Sequence, residues 1–146
     1  MTRRLARELA MKTLFAYDLG NDEPDEMMKR LCAETHVSAG ANTFGNYLVQ
    51  GVLTNQLFLD NLIKKYAHEW DLERMPFVDR NILRVALFEI IFSENIPVAV
   101  SINEALEIAK IYSAKDAPRF INGILGKAIQ DLPKLRNLNT KDLKES

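Results

Sequence analysis

Between Pro76 and Pro97 runs FVDRNILRVALFEIIFSENI, a stretch in which apolar side chains fall on nearly every side of a helix. A helix that is hydrophobic almost all round belongs in the middle of a bundle, since an amphipathic surface helix keeps one polar face. Proline is tolerated at helix starts and breaks interiors, so Pro76 and Pro97 predict a core helix with defined ends. Asp79, Arg80, Asn81, Arg84 and Glu89 interrupt the run. It is thus too short and too polar to cross a bilayer, which takes about 20 mostly apolar residues. The rest of the chain must wrap around this helix.

Only 6 Gly and 5 Pro among 146 residues favour long helices over a turn-rich β architecture, and a chain of this length suits one domain with its own core. A single cysteine, Cys32, forms no internal disulfide, which fits a reducing compartment. Met1 leads directly into Thr2-Arg3-Arg4 with no apolar segment behind it, so the expectation is a cytoplasmic protein with no signal peptide and no membrane anchor. A net charge of −1 argues against strong indiscriminate nucleic-acid binding, which depends on neutralising phosphates. The charge is nevertheless segregated: Arg3, Arg4, Arg7 and Lys12 face only Glu8 in the first twelve residues, and Asp22, Glu23, Asp25 and Glu26 follow.

Periodicity predicts an all-α protein of six or seven helices in two small bundles. A first helix runs from about Arg3 to Leu19, with Thr2 as N-cap and Gly20-Asn21-Asp22 as its stop. Ala6, Ala10, Leu14 and Tyr17 make its inward stripe, and Arg4, Arg7, Met11 and Phe15 a neighbouring one. A second helix follows Pro24 to about Thr35, and Ser38–Asn42 reads as a loop. The spacing then predicts one long helix over Thr43–Ala67 closing an N-terminal bundle of about residues 1–70. His68–Met75, polar apart from Trp70, Leu72 and Met75, is the expected joint to a C-terminal bundle of about 76–132. There, Ser101 with Glu104 three residues on matches a capping box and predicts a helix start near Ser101. A last helix spans Asp116–Leu132 with Pro118 in its first turn, and 133–146 reads as a polar, disordered tail.

No motif for phosphate cradling, a nucleophile elbow or a zinc helix is present, so the expectation is a protein without catalytic activity. His36, His68 and Cys32 make a poor metal set, and neither a metal nor a cofactor is expected. Cys32 on an apolar face reads as core rather than nucleophile. Glu89, in the most apolar helix, needs a partner if buried: a structural ion pair or a functional role. Glu107 pairs most simply with Lys110. The N-terminal arginines have two readings: a solvated helix start, or contacts to phosphates and bases of unpaired RNA, with Phe15 adding a stacking face.

Four blocks then become recognisable together: RRLARELAMKTLFAYD, FVDRNILRVALFEI, IPVAVSINEALEIAKIY and APRFINGILGKAI. In this order and spacing they resemble the transcription antitermination factor NusB family over roughly residues 2–132. The resemblance implies an all-helical fold of two small bundles and a non-enzymatic RNA-binding protein. It further implies that the protein works with the ribosomal protein NusE and the RNA polymerase antitermination complex on boxA-type RNA of nascent ribosomal transcripts. Position by position, Arg3, Arg4 and Arg7 match the family's arginine-rich RNA motif, with Lys12 and Phe15 on the same helix. Asp116 and Phe120 match a second stretch beside the RNA, and Asp79 with Arg80 falls where the family meets NusE.

The sequence departs from the family pattern at Phe15, where tyrosine is usual, and at Lys12, which replaces a common glutamine. Leu5 interrupts the arginine run, and Gly126 replaces an acidic residue. Two alternatives remain open at this point: a homodimer or scaffold that buries the arginine face, and an RNA-docking module related to that of ribosomal RNA methyltransferases.

Overall fold

The computed structural model describes residues 2–20, 23–68 and 72–136. They form α1 (Thr2–Asp18), α2 (Pro24–Thr35), α3 (Ala39–Thr54), α4 (Gln56–Ala67), a 3-10 turn (Leu72–Arg74), α5 (Phe77–Phe92), α6 (Val98–Tyr112) and α7 (Ala117–Gln130). No strand occurs among the described residues, as the composition predicts. Every residue from Asn81 to Ile91 is buried, so α5 is the central helix that its all-round hydrophobicity requires. Around it α1 packs on α2, α3 and α5, while α6 and α7 pack on α5 and on each other. Glycine permits two of the close approaches. A β-carbon at Gly45 would collide with the Met28 side chain, and one at Gly51 would run into the Phe88 ring.

Four expectations change. The predicted helix over 43–67 is two helices, and α4 leaves α3 to pack on α5 and α7. The break is at Asn55, whose side chain donates to the Gly51 carbonyl at 2.8 Å while its backbone N–H also turns back to Gly51 and Val52. Asparagine competes in this way for backbone groups that would otherwise extend the ladder. The loop expected at Ser38–Asn42 shrinks because Ser38 is the N-cap of α3, accepting from the Ala41 N–H at 3.2 Å. The start of α6 is Val98, directly after Pro97, so Ser101 does not cap it; Ser101 is buried one turn inside and donates to Glu89 at 3.1 Å. Residues 132–136 are helical, with Leu135 buried and Arg136 donating to the Ile90 carbonyl at 2.9 Å. Expectations for Asn21, Asp22, Trp70 and residues 137–146, and for a Thr2 side-chain cap, lie outside the described residues.

The polar interruptions of α5 are tie points. Glu89, 1% exposed, takes both Nε and Nη2 of Arg7 from α1 at 2.8 Å. Arg80 Nε, Arg84 Nη1 and Asn81 Nδ2 converge on Asp18 Oδ2, at the end of α1, at 2.6, 3.0 and 3.1 Å. Arg84 also grips Asp60 of α4 through two hydrogen bonds of 2.7 and 2.9 Å. Burial pushes the Asp18 carboxyl up, but the hydrogen bond from Arg80, the charge of Arg84 and the hydrogen bond from Asn81 outweigh it and hold the group below its ordinary value.

Glu89→Ala leaves the buried Arg7 guanidinium without its hydrogen-bonded carboxylate, with only Glu104 at 3.8 Å, and is expected to destabilise the fold by about 3 kcal/mol in urea unfolding. Replacing Arg7 and Glu89 together by methionine and leucine should cost far less. Because the folded-state pKa of Asp18 is depressed, its contribution is present above the unfolded value and is lost as pH falls through the folded one. The urea midpoint should drop on acidification below the ordinary value of 3.8, and drop less in Asp18→Asn.

Candidate nucleic-acid interface

The first twelve residues do not present their arginines as one surface. Arg3 is exposed, with its guanidinium 4.5 Å from the centre of the Phe44 ring of α3 and no carboxylate partner among the described residues. Arg4 is partly exposed, and its Nε donates to Glu104 Oε2 at 2.5 Å. Arg7 is 3% exposed: its guanidinium lies 5.3 Å from the centre of the same Phe44 ring, and its donors go to Glu89. A buried guanidinium held by a carboxylate does not reach a phosphate, so Arg7 ties down α1 and leaves the surface to Arg3 and Arg4.

Further along α1, Lys12 places its Nζ 5.1 Å from the centre of the Tyr112 ring, and the Tyr112 hydroxyl faces Glu8 at 3.5 Å. Arg4 meets α6 at its middle and Glu8 and Lys12 meet it at its end, so the two helices run in the same direction, bridged by long side chains. Phe15 turns its edge to Phe77, 6.5 Å between centroids, and is half-buried, so this ring packs at the start of α5 and offers only part of itself to a base. Arg80 stacks on the other partner of that pair, 4.0 Å from the Phe77 centroid.

Beyond Tyr112 the chain turns into α7. Asp116 is exposed at the N-cap position, and its side chain makes no capping hydrogen bond. Phe120 is half-buried one turn later, and together with Tyr66, His68, Arg119 and Lys127 these residues line a groove between the end of α4 and α7. Arg119 has no carboxylate partner among the described residues. Asp79, expected at a partner surface, is buried 5% exposed in the first turn of α5. Burial raises its pKa, against a smaller lowering by the Ser113 hydroxyl of the α6–α7 turn. Its neighbour Arg80 is the more accessible of the two.

The spacing did not reveal Phe44, Glu104, Tyr112 or Arg119. Glu104 reads locally as part of a capping box, and nothing local signals that α1 reaches α6. The Glu107–Lys110 pair does form, at 3.1 Å. Burial raises the Cys32 thiol pKa, which keeps it protonated. Among the described residues no cluster of three or more His, Cys, Asp and Glu could hold a metal ion, and no helix is long and apolar enough to cross a membrane.

Fold and site together define an all-helical protein in which Arg3 of α1 lies over Phe44 of α3, Lys12 lies over Tyr112 of α6, and a separate groove at α7 is lined by Asp116, Arg119 and Phe120. The chain belongs to the NusB family, whose model matches residues 4–130. It is 45% identical over 140 residues to the transcription antitermination protein NusB of Heliobacterium modesticaldum, covering 96% of this chain and 68% of that protein. Its structure is similar to that of NusB from T. maritima, with a TM-score of 0.83 and 33% identity over 92% of this chain and 95% of the other. It also resembles a chain in a crystal structure of antitermination factors NusB and NusE in complex with double-stranded RNA, with a TM-score of 0.79 and 26% identity over 86% and 94% of the two chains.

The raised pKa of Asp79 means that its charge penalises the folded state above that pKa, while below the unfolded value the penalty is absent. Asp79→Asn is therefore expected to stabilise the fold near neutral pH, the gain vanishing as the pH is lowered, read from urea midpoints across a pH series.

Proposed function

We propose that this chain is a cytoplasmic RNA-binding transcription antitermination factor that recognises boxA-type RNA in nascent ribosomal transcripts together with NusE, within the RNA polymerase antitermination complex, and has no catalytic role. The observation that carries the reading is the edge of α1, where Arg3 stands over the Phe44 ring, Lys12 over the Tyr112 ring and the partly exposed Arg4 lies between them in sequence, in a protein of the NusB family. Guanidinium groups donate to phosphate and base acceptors, and aromatic faces stack unpaired bases. Asp116 and Phe120 supply a second contact region on α7, with Arg119 beside them in the groove against the end of α4. Arg7 serves the site from beneath, and Phe15 supports it at the edge. Asp79 and Arg80, the latter stacked over Phe77 and paired with Asp18, mark the start of α5 as the region that meets NusE. Residues 1–132 act as a single unit, because one core holds buried residues from Leu9 through Leu132 and takes in Leu135 beyond them. With a net charge of −1 and few free cations on the face, affinity for RNA alone is modest, and the partner completes the surface.

Fluorescence anisotropy of a labelled boxA RNA at fixed salt, with and without NusE, tests this. The wild type should bind and NusE should tighten the complex. Arg3→Ala/Arg4→Ala should bind about tenfold more weakly or worse with an unchanged thermal midpoint, since a charged hydrogen bond contributes about 1.5–3 kcal/mol and 1.4 kcal/mol is tenfold. Arg7→Ala should instead lose stability. Absence of wild-type binding even with NusE would overturn the proposal.

A further inference from the structure

Glu104 sits between two arginines of α1. Its Oε2 accepts from Arg4 Nε at 2.5 Å, and its Oε1 lies 3.8 Å from Arg7 Nη1. Arg7 is already pinned by both oxygens of Glu89, which also accepts from Ser101, so the carboxylate of Glu104 is backed by a fixed, buried cation. The Glu104 side chain is 18% exposed and that of Arg4 41%, at the rim of the proposed RNA face. Arg4 is therefore a cation already matched by a carboxylate. The hydrogen bond and charge of Glu104 raise its pKa, and Glu107 and Glu8 add to the negative field.

Two consequences follow for a ligand. A phosphate approaching Arg4 meets a pair with no net charge, so little counterion release accompanies the contact. With Nε occupied, the plane of the guanidinium is held by one edge and Nη1 and Nη2 remain as donors. A fork whose direction is fixed and whose charge is cancelled suits acceptors of defined geometry, such as the edge of an unpaired base, better than a phosphate that can be approached from many directions. Arg3, without a carboxylate partner among the described residues, keeps its full charge for the backbone.

We infer that Glu104 is a specificity-determining residue of the RNA face: by cancelling the charge of Arg4 and holding its Nε, it turns that arginine from a phosphate contact into a reader of base-edge acceptors. The inference rests on the RNA-binding reading above. Glu104 acts through Arg4 and is a positioning residue; without its carboxylate Arg4 becomes a mobile, fully charged side chain that any RNA attracts.

The test is anisotropy with boxA RNA and a scrambled RNA of the same length and composition, over a potassium chloride series, for wild type, Glu104→Gln, Glu104→Asp and Arg4→Ala. Glu104→Gln should bind the scrambled RNA severalfold more tightly, reduce the preference for boxA, and steepen the dependence of log K on log salt by about 0.7, the value of one further phosphate contact on a single strand. Glu104→Asp keeps the charge but is too short for the Nε bond, so it should lose preference with a wild-type salt slope. Arg4→Ala should lose preference without flattening that slope. Thermal midpoints verify that the variants, which leave Arg7–Glu89 in place, are folded. If Glu104→Gln keeps the wild-type slope and preference, or weakens both RNAs equally, the role of Glu104 is overturned while RNA binding stands. If the wild type binds neither RNA, the RNA-binding reading falls and this inference with it.

Discussion

The Arg7–Glu89 pair is the interaction on which the rest of the molecule depends. Both side chains are nearly inaccessible and meet through two hydrogen bonds of 2.8 Å, with Ser101 completing the acceptor. A buried pair of this kind adds little net stability relative to apolar packing, yet is costly to break from one side. Its consequence here is registry: it fixes α1 against α5 and α6 at one rotation. That rotation brings Arg4, one turn earlier, to Glu104 and Lys12, further along, to Tyr112. An arginine that looks in the sequence like a ligand contact thus sets the orientation of those that remain at the surface.

A second network repeats the device at the other end of α1. Asp18 collects Arg80, Asn81 and Arg84, and Arg84 passes on to Asp60, so the central helix holds both the end of α1 and α4. The charges that interrupt an otherwise apolar helix are the points at which neighbouring helices are attached. Asp79 differs: its burial raises its pKa, and it lies where α5 begins, against the turn that leads to Asp116. Such an incompletely compensated group costs stability at neutral pH and places a carboxyl group where α5 meets the α6–α7 turn.

Much of this was legible in one dimension. All-round hydrophobicity between two prolines identified α5 as the centre, and the starts of α2 and α7 followed from Pro24 and Pro118. The need of a carboxylate at Glu89 for a partner was legible too, though not which arginine supplied it. Local rules misled where tertiary partners outbid them. Ser101 and Glu104 match a capping box, but Glu89 takes the hydroxyl and Arg4 the carboxylate. The apolar spacing over 43–67 is continuous because both α3 and α4 bury a face, while the break depends on one asparagine turning back on its own backbone.

The sequence by itself determined that the chain is helical, which helix is central, and that cationic and aromatic residues are concentrated on α1, because these follow from periodicity, proline placement and composition within a single segment. Tertiary structure alone decided which cations are free. Arg3, Arg4 and Arg7 are equivalent letters in one motif, yet one is open, one is matched by a carboxylate a hundred residues away, and one is buried. Solvation and pairing of a side chain depend on what distant helices bring beside it, and no local pattern encodes that.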